Sequence, residues 1–140
     1  MATATGHCLC GAIQLELLDG MPDSCILCHC TNCRQQSGGL GVVGMLMPRA
    51  RVRITGEDHL ASYRDAKCAS GSALVRLFCE TCGSNIGAAP EKSPETLAVR
   101  GGLFPSGSLP PPKFEIFTMH QERWEQPHDG AKQCERGLSR

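Results

Sequence analysis

The sequence predicts a mostly β, single-domain fold with one short helix, stapled through its cysteines. Three observations carry that prediction. The chain has 140 residues, enough for one domain and one core, yet only four Phe, one Trp and one Tyr to fill it. Sixteen Gly and nine Pro favour short strands joined by turns. Ten cysteines, most of them in close clusters, offer the support that a thin core lacks.

The elements follow in order. Apolar and polar residues alternate over 12–18 and 51–55, the pattern of half-buried strands. Apolar runs at 41–47, 60–63, 72–78, 96–99 and 114–118 predict further strands. Asp19-Gly20, Pro48, Gly56-Glu57-Asp58, Ser70-Gly71, Pro94 and the stretch 106–112 supply the turns between them. One helix is expected over 32–37, with Thr31 as its N-cap and Gly38 just past its end. No linker, repeat or low-complexity block divides the chain. The domain is expected to span 1–140, with a core over about 6–127 and a polar, loosely ordered tail over 128–140.

Charge narrows the function classes. Lys and Arg balance Asp and Glu, and no basic run stands out, so no nucleic-acid or anionic-membrane surface is advertised. No segment is apolar enough to span a bilayer, and the N-terminus lacks the regions of a signal peptide. A cytoplasmic address is expected, where thiols stay reduced and close cysteine pairs read as metal sites rather than disulfides.

The cysteines form three clusters: Cys8-Leu9-Cys10-Gly11, Cys28-His29-Cys30-Thr31-Asn32-Cys33, and Cys79-Glu80-Thr81-Cys82-Gly83. A Cys-x-x-Cys-Gly turn bends two sulfurs toward one point, and Cys-x-Cys-Gly is a tighter version. The first and third clusters together predict a four-thiolate structural zinc site on Cys8, Cys10, Cys79 and Cys82, closing a long loop. The middle cluster offers three sulfurs. Three protein ligands and an open position are the pattern of a reactive zinc. Cys25 is either a fourth ligand or a strand residue, and His29, flanked by ligands, is expected to point away.

Three thiolates on Zn²⁺ carry a net negative charge, which suits capture of a further thiolate better than activation of water. The middle cluster therefore reads as thiol chemistry, with Cys28, Cys30 and Cys33 as the reactive set.

These residues resemble a known family. Cys8-Leu9-Cys10-Gly11-Ala12, the string Cys28-His29-Cys30-Thr31-Asn32-Cys33-Arg34-Gln35-Gln36-Ser37-Gly38, and Phe78-Cys79-Glu80-Thr81-Cys82-Gly83-Ser84 are similar to the glutathione-dependent formaldehyde-activating enzymes, a family that includes centromere protein V. The resemblance extends through Gly101-Gly102-Leu103 to Trp124 and Gly130-Ala131-Lys132-Gln133. It implies a zinc-stapled β-tent fold, a structural zinc on Cys8, Cys10, Cys79 and Cys82, and a catalytic zinc on Cys28, Cys30 and Cys33. It also implies a carbon–sulfur lyase that forms S-hydroxymethylglutathione from glutathione and formaldehyde. One departure stands out: Phe104-Pro105 replaces a position where relatives often carry Asp, in a loop expected to shape the substrate pocket.

Arg34 is a candidate to bind a glutathione carboxylate, or else a surface pairing residue. Trp124 is expected as a core or lid anchor. His7, His59, His120 and His128 read as surface residues, and Cys68 and Cys134 as ordinary thiols. Two other functions compete with the lyase. One is a zinc-stapled binding scaffold. The other is a methionine sulfoxide reductase, for which Cys68 is the only available nucleophile.

Overall fold

The computed structural model describes residues 2–138. In chain order the elements are β1 (Ala4–His7), β2 (Gln14–Leu17), β3 (Cys25–Cys28), α1 (Thr31–Ser37), β4 (Val42–Pro48), β5 (Val52–Thr55), β6 (Leu60–Asp65), β7 (Leu74–Cys79), β8 (Asn85–Pro90), β9 (Thr96–Arg100), β10 (Pro112–Ile116) and β11 (Lys132–Cys134). They build a three-stranded sheet, β1-β2-β5, and an eight-stranded sheet, β11-β10-β3-β4-β9-β8-β7-β6. This is the mostly β domain with one helix that the sequence predicts.

The alternation in β2 and β5 explains how the sheets meet. Leu15 pairs with Ile54 and Leu17 with Val52, all four buried, while Glu16 and Arg53 face each other outside as an ion pair. That apolar face lies in one cluster with Met45, Met47, Ile86, Leu97 and Val99 from the large sheet. Full burial of each such side chain contributes about 1.5–3 kcal/mol, so this shared layer holds the sheets together.

Four strands are absent from the sequence reading, each for a physical reason. β1 has few apolar residues, and β3 reads first as a cysteine cluster. β8 is built of small residues because Gly87 lies against β9; a Cβ there would sit 2.8 Å from the Ala98 carbonyl. β11 lies in the tail expected to be loosely ordered, yet it pairs in parallel with β10. Ser139 and Arg140, the end of that tail, lie outside the described residues. The helix begins one residue early, with Cys30 rather than Thr31 as its N-cap. The Cys30 Sγ accepts the Cys33 N–H at 3.2 Å, so a sulfur takes the capping role of a hydroxyl.

Two expectations for the loops are corrected. Trp124 anchors neither core nor lid, being 69% exposed. Phe104 belongs to the core and not to a pocket wall, since the short turn Gly101–Leu103 folds it inward against Gly6.

Candidate metal centres

Two turns bring the first cluster together. Cys8 and Cys10 flank the turn between β1 and β2. Cys79 ends β7, and Cys82 sits in the hairpin to β8. Gly11 and Gly83, each directly after the second cysteine of its pair, adopt φ near +80°, a conformation that costs glycine little. The Leu9 N–H donates to Ser84 Oγ at 2.9 Å, tying one turn to the other.

All four sulfurs lie within 4.8 Å of one another. The Cys8–Cys10 and Cys10–Cys79 Sγ separations are 3.6 and 3.8 Å. Four thiolates at about 2.3 Å from a tetrahedral metal stand about 3.8 Å apart, so the group could hold such an ion. The chain favours the thiolate at two of these sulfurs, Cys82 and Cys8, while at Cys10 the Ala12 N–H works downward but the neighbouring thiols push it up to about 11. The Ser84 hydroxyl and N–H bring Cys82 down to about 5. At Cys8, burial works upward but is outweighed by the Ile13 N–H, which donates to its Sγ at 3.3 Å, together with the Cys10 and Cys79 thiols.

The second cluster forms where β3 passes into α1. Cys28 ends the strand, Cys30 caps the helix and Cys33 occupies its first turn. Their sulfurs also lie within 4.8 Å of one another, with 3.5 Å between Cys28 and Cys33. Cys25, three residues before Cys28, is buried with its thiol on the Pro110 carbonyl at 3.4 Å and takes no part. Contact with the Cys28 and Cys30 thiols, then Arg76 and Arg100, holds Cys33 well below the ordinary thiol range. Cys28 is pushed far above it by Cys30 and Cys33. Three sulfurs sharing one point in this way could hold a cation.

This cluster lies on a cavity of about 630 Å³, walled by apolar side chains such as Ile26, Val42 and Leu74. Two buried cations also line it, Arg76 and Arg100. Arg76 gives its Nε to Asp65 at 2.8 Å, forming a neutral pair. Arg100 pairs with no described residue, so its charge would be free to offset the net negative charge of a divalent ion held by three thiolates. Neither arginine carries a motif. A charged residue inside the apolar runs of β7 and β9 is the one signal that could have singled them out.

Arg34 does not line this cavity. Its guanidinium donates to the His120 carbonyl at 2.6 Å and lies 3.7 Å from Glu122, so it fastens the 118–122 segment instead of facing a ligand. Cys68 does line the cavity, but burial pushes its thiol up, the wrong direction for a nucleophile. Cys134 sits at the end of β11, apart from both clusters.

His29 turns away from the sulfurs on either side of it. Its Nε2 meets Glu115 Oε1 at 2.9 Å, and its Nδ1 faces the Leu40 carbonyl at 3.2 Å. Glu115 is fully buried and also accepts from the His128 N–H, the His128 ring and Gln133. Burial would raise its carboxyl, but donation from Gln133, the His128 N–H and His29 brings it from its ordinary 4.5 down to about 2. His128 is therefore more than a surface residue, since through Glu115 it helps fix the tail to the loop that carries the second cluster.

A carboxyl lowered on folding stabilises the fold above its unfolded pKa and loses that contribution as pH falls through the folded one. Glu115→Gln is thus expected to cost about 2–4 kcal/mol at neutral pH in urea denaturation. The gap from wild type should close between pH 4.5 and 2. A gap unchanged across that range would mean that the carboxylate's charge contributes nothing.

Comparison with known proteins gives the family of the chain. The sequence profile of a family described as glutathione-dependent formaldehyde-activating enzyme matches residues 3–120. A Halomonas elongata protein provisionally named a glutathione-dependent formaldehyde-activating enzyme is 27% identical over 119 residues, covering 84% of this chain and 75% of that protein. A crystal structure of a Rhodobacter sphaeroides protein superposes with a TM-score of 0.55 at 24% identity, over 76% of this chain and 98% of that one. It shares the fold.

Proposed function

Because the chain belongs to the glutathione-dependent formaldehyde-activating enzyme family, we propose that it joins a small thiol, glutathione, to formaldehyde or a related small electrophile. This is a carbon–sulfur lyase reaction run toward synthesis. We assign a structural zinc to Cys8, Cys10, Cys79 and Cys82, and a reactive zinc to Cys28, Cys30 and Cys33. Bound at the second site, the ion supplies a position that holds an external sulfur as its thiolate at neutral pH.

One observation carries the reading. The three sulfurs of the second cluster face a cavity, while the nearest spare cysteine, Cys25, is turned onto Pro110. A closed four-thiolate site would have no room for a substrate sulfur; this one does. The chain's own part is to hold the three ligands on a strand end and a capped helix, and to keep the cavity walls apolar. Close cysteine clusters held as metal sites suit a reducing compartment, and we assign the chain to the cytoplasm on that ground; no described helix is long and apolar enough to cross a membrane.

Calorimetric titration of zinc-loaded protein with glutathione tests the proposal. Capture releases the thiol's proton, so affinity should rise as pH rises toward the thiol pKa, by about tenfold per pH unit. Bound glutathione should also shield Cys28, Cys30 and Cys33 from alkylation. Fully loaded protein that binds neither glutathione nor 2-mercaptoethanol would leave the zinc-stapled scaffold as the better reading.

A further inference from the structure

The cavity beside the three-cysteine cluster holds two buried cations with donors that no described residue uses. Arg100 is 8% exposed and makes no hydrogen bond or ion pair to a described residue; its Nε is buried without a partner. Arg76 is 3% exposed, and its Nε and Nη1 are taken by Asp65 and Gln36, yet its Nη2 is also buried without a partner. Among the described residues only four buried side-chain polar atoms lack a partner, and two of them are on these arginines. Buried donors are nearly always satisfied, because leaving one unmet is costly. The missing acceptor therefore lies outside the described residues, and a ligand entering the cavity would supply it.

We infer that Arg76 and Arg100 form an anion site that takes an anionic oxygen two or three bonds from the captured sulfur. The inference rests on the thiol-capture reading above. Distance supports it: Arg76 Nη1 lies 3.7 Å from Cys33 Sγ. A captured sulfur would stand about 3.8 Å from that same Sγ, in the cavity that Arg76 and Arg100 line together with the three cysteines. Arginine suits the task, being permanently charged and forked. The apolar wall of Ile26, Val42, Leu74 and Ala98 keeps the surroundings dry and strengthens the interaction.

Two sources could supply the oxygen. One is the reaction itself: a sulfur lone pair bonds to the aldehyde carbon, the C=O π pair moves to oxygen, and the alkoxide then takes up one proton. That proton balances the one released when the thiol bound, so thiol plus aldehyde gives the hydroxymethyl thioether with nothing left over. The other source is a carboxylate carried by the thiol compound close to its sulfur.

The probes are mercaptoacetate, which carries such a carboxylate, and 2-mercaptoethanol, which is neutral. Both are titrated calorimetrically into zinc-loaded wild type, Arg100→Gln and Arg76→Lys, the last chosen to keep a cation beside Asp65. Zinc content is measured in each. At equal thiolate concentration, wild type should prefer mercaptoacetate by about tenfold or more if a carboxylate is the occupant, and the variants should lose that preference. If the alkoxide is the occupant, the variants should bind both thiols and glutathione as wild type does. The rate of formaldehyde addition at saturating glutathione should then fall by about 10²-fold. Either pattern, with zinc content unchanged, supports the anion site and identifies its source. Wild type that binds both thiols without preference, alongside variants with wild-type addition rates, would overturn it while leaving thiol capture standing. Binding of neither thiol by wild type would remove both.

Discussion

Cys79→Ser is expected to yield no folded protein. Cys79 is fully buried at the end of β7, and its sulfur stands 3.8 Å from that of Cys10, 69 residues earlier in the chain. The four-sulfur group therefore joins the small sheet's first turn to a hairpin of the large sheet. A structural zinc site of this type supplies about 10–16 kcal/mol of folding free energy. The net stability of a domain this size is about 5–15 kcal/mol, so little remains once a ligand is removed. The aromatic-poor core described above cannot make up the difference. Far-ultraviolet circular dichroism, solubility and zinc content should all register the loss together. A soluble Cys79→Ser protein with native dichroism would mean that the apolar layer alone holds the sheets, and that the cluster is no staple.

What the sequence disclosed depended on how local the determining physics is. The sulfur clusters were legible because ligand spacing lies within two to five residues, and a turn after each pair is signalled by Gly11 and Gly83. Strands β2 and β5 were legible because their alternation is strict over consecutive residues. By contrast, β8 forms because Gly87 and two alanines fit closely against β9, a fit that only the partner strand defines. β11 forms because Gln133 reaches a carboxylate 18 residues away, across a parallel pairing. The two cavity arginines come from β7 and β9, which share no sequence neighbourhood with Cys33; their convergence follows from sheet order alone. Arg34, adjacent to Cys33 in sequence, proved to face His120 instead. On a helix the residue after a ligand points about 100° away from it, so sequence proximity favours the wrong side of α1.

Cys30→Ser is expected to do the opposite of Cys79→Ser, keeping the fold and losing the chemistry. Cys30 contributes to the structure as a helix cap, accepting the Cys33 N–H. Serine is among the best residues at that position, so the cap, worth about 1 kcal/mol, should survive where alanine would lose it. The second cluster sits at the junction of β3 and α1 and bridges no distant elements, so emptying it opens no large loop. Two thiolates, Cys28 and Cys33, would remain, too few to retain the ion against competing ligands. Zinc content should fall by about one equivalent per chain, with melting behaviour close to wild type. Glutathione affinity should drop by at least about 10²-fold, and adduct formation should return to the uncatalysed rate. Exchange NMR of formaldehyde with glutathione would measure that rate without a coupled assay. If Cys30→Ser instead aggregated as Cys79→Ser is expected to, the two clusters would be doing the same structural job. The case for a reactive site would then rest on the cavity and its arginines alone.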